Sequence, residues 1–212
     1  MKTKELIKIL STSAGIAETQ SRHRYLVAIG LSLLASAVMM VSLLGLLPNL
    51  DEVIMWPNFW MKVAFSATLA GAGILSITRL ARPGHPLGYA WIGVILPITL
   101  IWVFASYTLI SACPADREDL LFSETWTVCP LLIVLLAIPI LIGMLWVLRD
   151  YAPTRLGLTG AACGLFSGAM GALVYTLHCP EMSAPFIGTW YLLGIFITTG
   201  LGWIIGRKVL RW

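Results

Sequence analysis

The sequence predicts an all-α membrane protein, a bundle of six transmembrane helices with both termini in the cytoplasm (N-in/C-in). Composition is the first reason: 58% of the 212 residues are hydrophobic, 11% are charged and the mean hydropathy is +0.88. A soluble domain normally carries about a quarter charged residues. The second reason is that the apolar residues form six blocks long enough to cross a bilayer. The third is the distribution of basic residues between these blocks.

Six near-continuous apolar runs of about 17 to 25 residues define the predicted spans. They cover residues 25–47, 59–77, 89–110, 128–148, 156–177 and 189–205. Residues 25–212 therefore form one transmembrane domain, and residues 1–24 form a polar leader. The breakers between the runs are Pro48, Pro57, Pro83, Pro114, Pro153, Pro180 and Pro185. The first run continues to Leu47, so we interpret it as a retained helix rather than a cleaved signal sequence.

Charge sets the direction of the bundle. With a cytoplasmic N-terminus, 12 of the 14 Lys and Arg residues lie on the cytoplasmic side and seven of the ten Asp and Glu residues lie on the other side. The positive-inside rule predicts this orientation. Lys62, an exception, is expected at the outer start of the second span, where its side chain can snorkel to the surface. Aromatic residues near span ends, among them Trp190 and Tyr191, are interpreted as aromatic belts.

Several function classes are disfavoured. The centres of the spans carry no ionisable residue that would relay or bind ions, which argues against an ion-coupled carrier. The scattered Ser and Thr residues form no catalytic constellation, so we predict that the protein is not an enzyme. The net charge is +4, but the basic residues are dispersed between apolar blocks, so no direct contact with nucleic acid is predicted.

The fifth span carries regularly spaced glycines, at positions 157, 160, 164, 168 and 171. Small residues at every fourth position allow helices to approach closely. We expect this seam to serve packing within the chain, and a homodimer interface is the alternative. Pro97 and Pro139 lie within spans and are expected to kink them.

Three of the four cysteines, Cys113, Cys129 and Cys179, precede a proline at predicted outer span ends. The fourth, Cys163, lies within a span and is expected to be an inert small hydrophobe. A tight inner turn near Ala152 joins the fourth and fifth spans. Counted from that turn, Cys129 and Cys179 differ in depth by about 6 Å. These two thiols are therefore expected to be able to face each other.

Three interpretations of this pair remain open. A structural disulfide suits an oxidising outer compartment. A soft-metal thiolate site is the second, with His178, Glu181 and Cys113 as possible additional ligands. A redox switch between dithiol and disulfide is the third. None of them requires a permanent cofactor.

Several stretches together resemble the NrsF family of bacterial membrane anti-sigma factors. They are the leader Met1–Ile7, the entry to the fourth span Trp126–Cys129, the string Leu177–Glu181 and the closing Gly206–Trp212. The resemblance covers essentially the whole chain. It implies a six-helix inner-membrane protein that holds an extracytoplasmic-function sigma factor inactive. It also implies that two periplasmic cysteines, at Cys129 and Cys179 here, are required for the response to heavy metals such as chromate and cadmium.

The resemblance favours a sensor over a purely structural bridge, because a bridge would not give metal-dependent release. A soft metal ion binds thiolates transiently, whereas chromate can oxidise them. The resemblance assigns no role to Cys113. The remaining alternative is a small permease or metal-binding membrane protein with a structural periplasmic disulfide.

The N-terminal segment 1–24 is the expected partner site. Thr3 can cap a short helix in which Leu6, Ile7 and Leu10 share one apolar face. Such a helix is too short to be stable alone in water. It either lies on the membrane lipid or docks to the sigma factor, and the resemblance favours docking.

Overall fold

The computed structural model describes residues 25–81, 88–151 and 153–211 of the chain. Throughout these ranges the regular elements are helices, and six of them are long and apolar enough to span a membrane. The predicted fold class is confirmed. The spans are Tyr25–Leu43, Pro57–Leu80, Ala90–Ser111, Cys129–Tyr151, Leu156–Tyr175 and Ala184–Val209. The cytoplasmic orientation of the termini stays a prediction, and residues 1–24 lie outside the described residues.

The observed and predicted span ends differ by up to five residues, and prolines lie at the two earlier starts. Pro57, Pro130 and Pro185 lie in the first turn of the second, fourth and sixth spans. Proline is well suited to the first turn, because its missing N–H has no partner there in any helix. The second and sixth spans consequently start earlier than predicted. The first span ends at Leu43 rather than residue 47, since the chain turns at Gly45 with φ of 77°.

The fifth span is the centre of the bundle and packs on the second, fourth and sixth spans. Its glycine seam faces the sixth span: a Cβ on Gly160 would overlap the carbonyl oxygen of Gly202, and one on Gly164 would overlap that of Thr198. The expected packing within the chain is therefore observed. A homodimer through this seam would have to displace the sixth span.

The first and third spans lie at the periphery, and most of their side chains face outward. The first span is joined to the fourth by a hydrogen bond from the Ser36 hydroxyl to the carbonyl oxygen of Leu136, at 2.8 Å. Gly143 of the fourth span adds a close contact with the Ser32 side chain. A buried hydroxyl that finds a partner on the neighbouring helix fixes the relative position of the two helices.

One end of the bundle carries Cys129 and Cys179, and we call it the thiol end; the opposite end, where the fourth span meets the fifth, is the basic end. Three connecting segments, residues 44–56, 112–128 and 176–183, meet at the thiol end. Leu47 donates its backbone N–H to the carbonyl oxygen of Leu177 at 3.1 Å. Ser183 donates its hydroxyl to the carbonyl oxygen of Leu120 at 2.9 Å. The three segments thus form a joined cap over the helix ends.

Candidate thiol site

The two predicted sensor cysteines lie at the ends of adjacent spans. Cys129 is the first residue of the fourth span, and Cys179 follows the last turn of the fifth. The backbone N–H of Cys179 donates to the carbonyl oxygen of Tyr175, which continues the helical pattern just beyond the end of the helix. Both side chains are free thiols and neither has exposed surface. Both sulfur atoms are therefore shielded from solvent, and we call this arrangement closed.

Tyr175 connects the two thiols. Its side chain is 1% exposed, and its hydroxyl interacts with the thiols of both Cys129 and Cys179. The fourth and fifth spans therefore bring the two cysteines to one pocket, in agreement with their similar predicted depth. The ring of Tyr191 lies 5.8 Å from that of Tyr175, and the buried Tyr191 side chain also lies beside the Cys179 thiol.

The position of Tyr191 differs from the predicted one. The sequence predicts a place in an aromatic belt, but the side chain has no exposed surface. It closes a π-helical turn, Ile187–Tyr191, near the start of the sixth span. A π-turn shifts the register of a helix and often marks a functional site. Here it accompanies an inward-facing Tyr191 beside Cys179.

The position of Lys62 also differs from the predicted one. Its side chain is fully buried and does not extend to the membrane surface. Its Nζ donates to the carbonyl oxygens of Cys179 at 2.9 Å and Glu181 at 2.8 Å, and lies 5.5 Å from the centre of the Tyr191 ring. The second span is turned so that this residue faces the thiol site rather than lipid. Pro180 was the available signal, because a proline there ends the helix and the carbonyls of the non-helical residues around it need donors from elsewhere.

Of the other candidate ligands, His178 and Glu181 lie beside the thiol pair with partners of their own, and Cys113 lies at the surface. The Nδ1 atom of His178 lies 3.0 Å from the carbonyl oxygen of Gly45, and the carboxylate of Glu181 accepts a hydrogen bond from the Thr125 hydroxyl at 3.4 Å. Cys113 is exposed at the start of a short surface helix. In the ranges that the structure describes, no three His, Cys, Asp or Glu side chains are grouped as a metal site requires. The closed arrangement offers a soft metal the two thiols of Cys129 and Cys179.

Cys163 is buried within the fifth span and belongs to the hydrophobic core, as its expected inert role requires. It provides an internal reference for the interior of the bundle. Leu6, Ile7 and Leu10 lie outside the described residues, so their place in sigma binding stays a prediction.

An aromatic cluster strengthens the cap beside the site. The rings of Trp126 and Trp190 lie 4.9 Å apart, and Phe122 lies 5.5 Å from Trp126. The indole N–H of Trp190 donates to the carbonyl oxygen of Leu121 at 2.7 Å. This cluster joins the segment before Cys129 to the sixth span. A reagent that reaches the thiols from outside must therefore displace part of the cap.

The arrangement supports two kinds of thiol chemistry. Two thiols in one pocket can release two protons and hold a soft metal ion between two thiolates. Alternatively they can release two protons and two electrons to an oxidant and form a disulfide. A disulfide requires the two free sulfur atoms to approach to about 2.05 Å, whereas a bound metal replaces the two thiol protons.

Comparison with known proteins gives a consistent result. The model of the NrsF family, described as negative regulator of sigma F, matches residues 10–212. A probable anti-sigma-F factor of Azospira oryzae is 42% identical over 213 residues, and the anti-sigma-F factor of Caulobacter vibrioides is 36% identical over 214 residues. Both alignments cover the whole of each chain. No solved structure matches the chain.

Proposed function

Because the chain belongs to the NrsF family of negative regulators of sigma F, we propose that it is a membrane-bound anti-sigma factor whose partner is an extracytoplasmic-function sigma factor. Two full-length relatives carry the anti-sigma-F name, which supports this assignment. Inhibition of a sigma factor requires only that its polymerase-binding surface be covered. The proposed activity is therefore binding and needs no catalytic group.

In the proposed orientation, the protein lies in the bacterial inner membrane with its basic end in the cytoplasm and its thiol end in the periplasm. The described basic residues at the cytoplasmic end are Arg79, Arg149, Arg155, Arg207, Lys208 and Arg211. Acidic residues are concentrated in the cap at the other end, at Asp51, Glu52, Asp116, Glu118, Asp119, Glu124 and Glu181. This partition supports a cytoplasmic N-terminal segment within reach of a sigma factor.

The observation that carries the sensing part of the proposal is the convergence of two free, fully buried thiols on Tyr175. In the proposed mechanism, a soft metal or an oxidant reacts with Cys129 and Cys179 and releases the sigma factor. Formation of a disulfide moves the two free sulfur atoms to bonding distance, and a bound metal replaces their protons and draws both thiolates towards one ion. The reacted protein therefore favours a second conformation in which the cap and the adjoining helix ends are rearranged.

A route between the two ends is available through the fourth span. This span begins at Cys129, and its Leu136 carbonyl accepts the hydrogen bond from Ser36 of the first span. The first span continues directly from the N-terminal segment. Movement of the start of the fourth span would thus be transmitted to the helix that carries the proposed sigma-binding segment. The signal weakens sigma binding only as far as it discriminates between the two conformations.

The partner site is tested by capture of the sigma factor from host membranes solubilised in detergent. We expect the full chain to retain an extracytoplasmic-function sigma factor. Deletion of Met1–Gly15, or substitution of Leu6, Ile7 and Leu10 with Asp, should abolish capture without preventing membrane insertion, because a charged face cannot enter an apolar interface.

Ser11→Asp, Thr12→Asp and Ser13→Asp together form the matched control, since they add the same charge beyond the apolar face. This control should retain the sigma factor. Undiminished capture by the Leu6, Ile7 and Leu10 variant would place the binding site in the loops or helix ends of the basic end. Failure of the full chain to capture any sigma factor would contradict the proposed function.

A further inference from the structure

Lys62 is a fully buried lysine that the proposed thiol chemistry does not use. Lysines near the ends of transmembrane helices ordinarily extend to the membrane surface. A lysine that is withdrawn from water is costly unless the protein supplies partners for its amino group. Its retention at this position therefore needs a specific reason.

The partners of Lys62 belong to one short segment. The Nζ atom donates to the carbonyl oxygens of Cys179 and Glu181, at 2.9 and 2.8 Å, on either side of Pro180. Residues 179–183 lie outside any helix. Lys62 supplies these two carbonyls with the donors that a helix would otherwise provide.

Cys179, whose carbonyl oxygen accepts one of these hydrogen bonds, also carries one of the two proposed sensor thiols. Fixing the Cys179 carbonyl fixes the position of the Cys179 side chain beside Tyr175. We infer that Lys62 is a positioning residue that holds the Cys179–Glu181 segment against the second span and thereby keeps the Cys179 thiol buried. The inference rests on the proposed function, because it assigns the element that sets how readily the sensor opens.

Lys62 belongs to the second span, so it connects the thiol site to a helix other than the fourth and fifth spans, which carry the two thiols. The second span packs closely on the fifth, where Gly73 contacts the backbone of Phe166. Its far end carries Arg79, about 25 Å from Lys62 along the helix. Release of the segment from Lys62 therefore changes the contacts of a helix that reaches the basic end.

Thiol labelling in native membranes tests the inference. Membranes containing the full chain are treated with N-ethylmaleimide, and the labelling rate of each cysteine is measured by mass spectrometry. Exposed Cys113 is the reactive reference, and Cys163 reports on the integrity of the bundle. We expect Lys62→Met to raise the Cys179 rate about tenfold, since two hydrogen bonds that oppose local opening are lost and labelling proceeds from the opened segment, where the thiol lies in water away from residue 62. Cys163 should remain protected.

Two further variants separate positioning from packing. Ser66 is buried one turn further along the same helix, and its hydroxyl has no hydrogen-bond partner among the described residues. Ser66→Ala should therefore leave the Cys179 labelling rate unchanged. Lys62→Arg retains hydrogen-bond donors and should protect Cys179 better than Lys62→Met does. Equal labelling of the Arg and Met variants, or parallel labelling of Cys163, would overturn the inference. An unchanged Cys179 rate in Lys62→Met would do the same.

A sigma-dependent reporter in the host then links the opening to regulation. Lys62→Met should lower the metal concentration for half-maximal induction, because the closed state is weakened. If Lys62→Met speeds the labelling of Cys179 but leaves the metal concentration for half-maximal induction unchanged, Lys62 protects the thiol without affecting regulation. That result would overturn its regulatory role. The labelling assay measures cysteine protection directly and requires no sigma factor, so failure of the proposed function leaves its result interpretable.

Discussion

At the residue scale, the thiol site consists of polar groups in an environment where apolar ones are the rule. Lys62, Tyr175 and Tyr191 are buried around two cysteines. Withdrawing a polar side chain from water costs free energy unless the protein supplies partners for it. Their concentration beside Cys129 and Cys179 sets this end of the bundle apart from its apolar interior and supports a functional site there.

The proposed sensor thiols, Cys129 and Cys179, give the prediction at this scale. Cys129→Ser and Cys179→Ser should each reduce the induction ratio of a sigma-dependent reporter by cadmium or chromate to about one, while basal repression stays intact. Serine retains the size of cysteine but lacks the soft thiolate and its redox chemistry. Reporter output is measured with and without metal at matched membrane abundance.

Cys163→Ser is the internal control, since this buried cysteine lies away from Tyr175 in the hydrophobic core, and it should leave induction unchanged. Constitutive reporter activity in both sensor variants, without metal, would instead indicate a structural disulfide. Normal induction in both variants would exclude these thiols as the sensor.

At the element scale, the glycine seam determines how the fifth and sixth spans fit together. Gly202 and Gly206 of the sixth span face Gly160, so two pairs of small residues allow backbone contact. Lipid tails and apolar side chains are chemically alike, so hydrophobicity drives helix association weakly in a bilayer. Close backbone packing is the main source of attraction between these two helices.

Substitution in the seam should therefore destabilise the bundle. Gly160→Val places a side chain where even a Cβ would overlap the Gly202 carbonyl oxygen. We expect the free energy of unfolding to fall by about 1–3 kcal/mol or more. Gly200→Val is the matched control, because a Cβ at that position of the sixth span meets no atom within 4 Å. The measurement is the fraction of protein that stays monodisperse in detergent after heating. Equal heat resistance of the two variants would contradict the assigned role of the seam.

At the scale of the whole molecule, charge and chemistry divide the bundle into two ends. The thiol end carries most of the acids and the joined cap, whereas the basic end carries the start of the fifth span and the end of the sixth. The proposed separation of sensing and sigma binding onto opposite sides of a membrane requires this arrangement. The orientation is therefore the premise on which the proposed mechanism depends.

Reporter fusions test the orientation. A reporter placed after Trp212 or in the loop near Pro153 should be active in the cytoplasm, and one near Asp119 or Ser183 should be active outside. The reason is that basic residues flanking short loops are retained on the cytoplasmic side. A periplasmic reporter signal at Trp212 would invert the bundle and remove the thiols from the periplasm.

Much of the fold was determined by local features of the sequence. The six spans follow from hydropathy, and the seam of the fifth span follows from glycine spacing, because length and residue size act through neighbouring positions of one helix. The similar depth of Cys129 and Cys179 follows from counting along two spans joined by a short turn. The family was also recognisable from the sequence, in Leu177–Glu181 and the other quoted stretches.

Only the tertiary structure decided which faces of the spans point inward. In a soluble helix an apolar stripe marks the buried face, but these helices are apolar around their whole circumference, so their sequences contain little such signal. For that reason Lys62 and Tyr191 were assigned to the surface although both are buried. The orientation of His178 was likewise decided by tertiary contacts: its Nδ1 atom faces the Gly45 carbonyl oxygen, while its ring packs 5.7 Å from that of Tyr175. Rotation of a helix about its axis is set by the neighbours against which it packs, and those neighbours are distant in sequence.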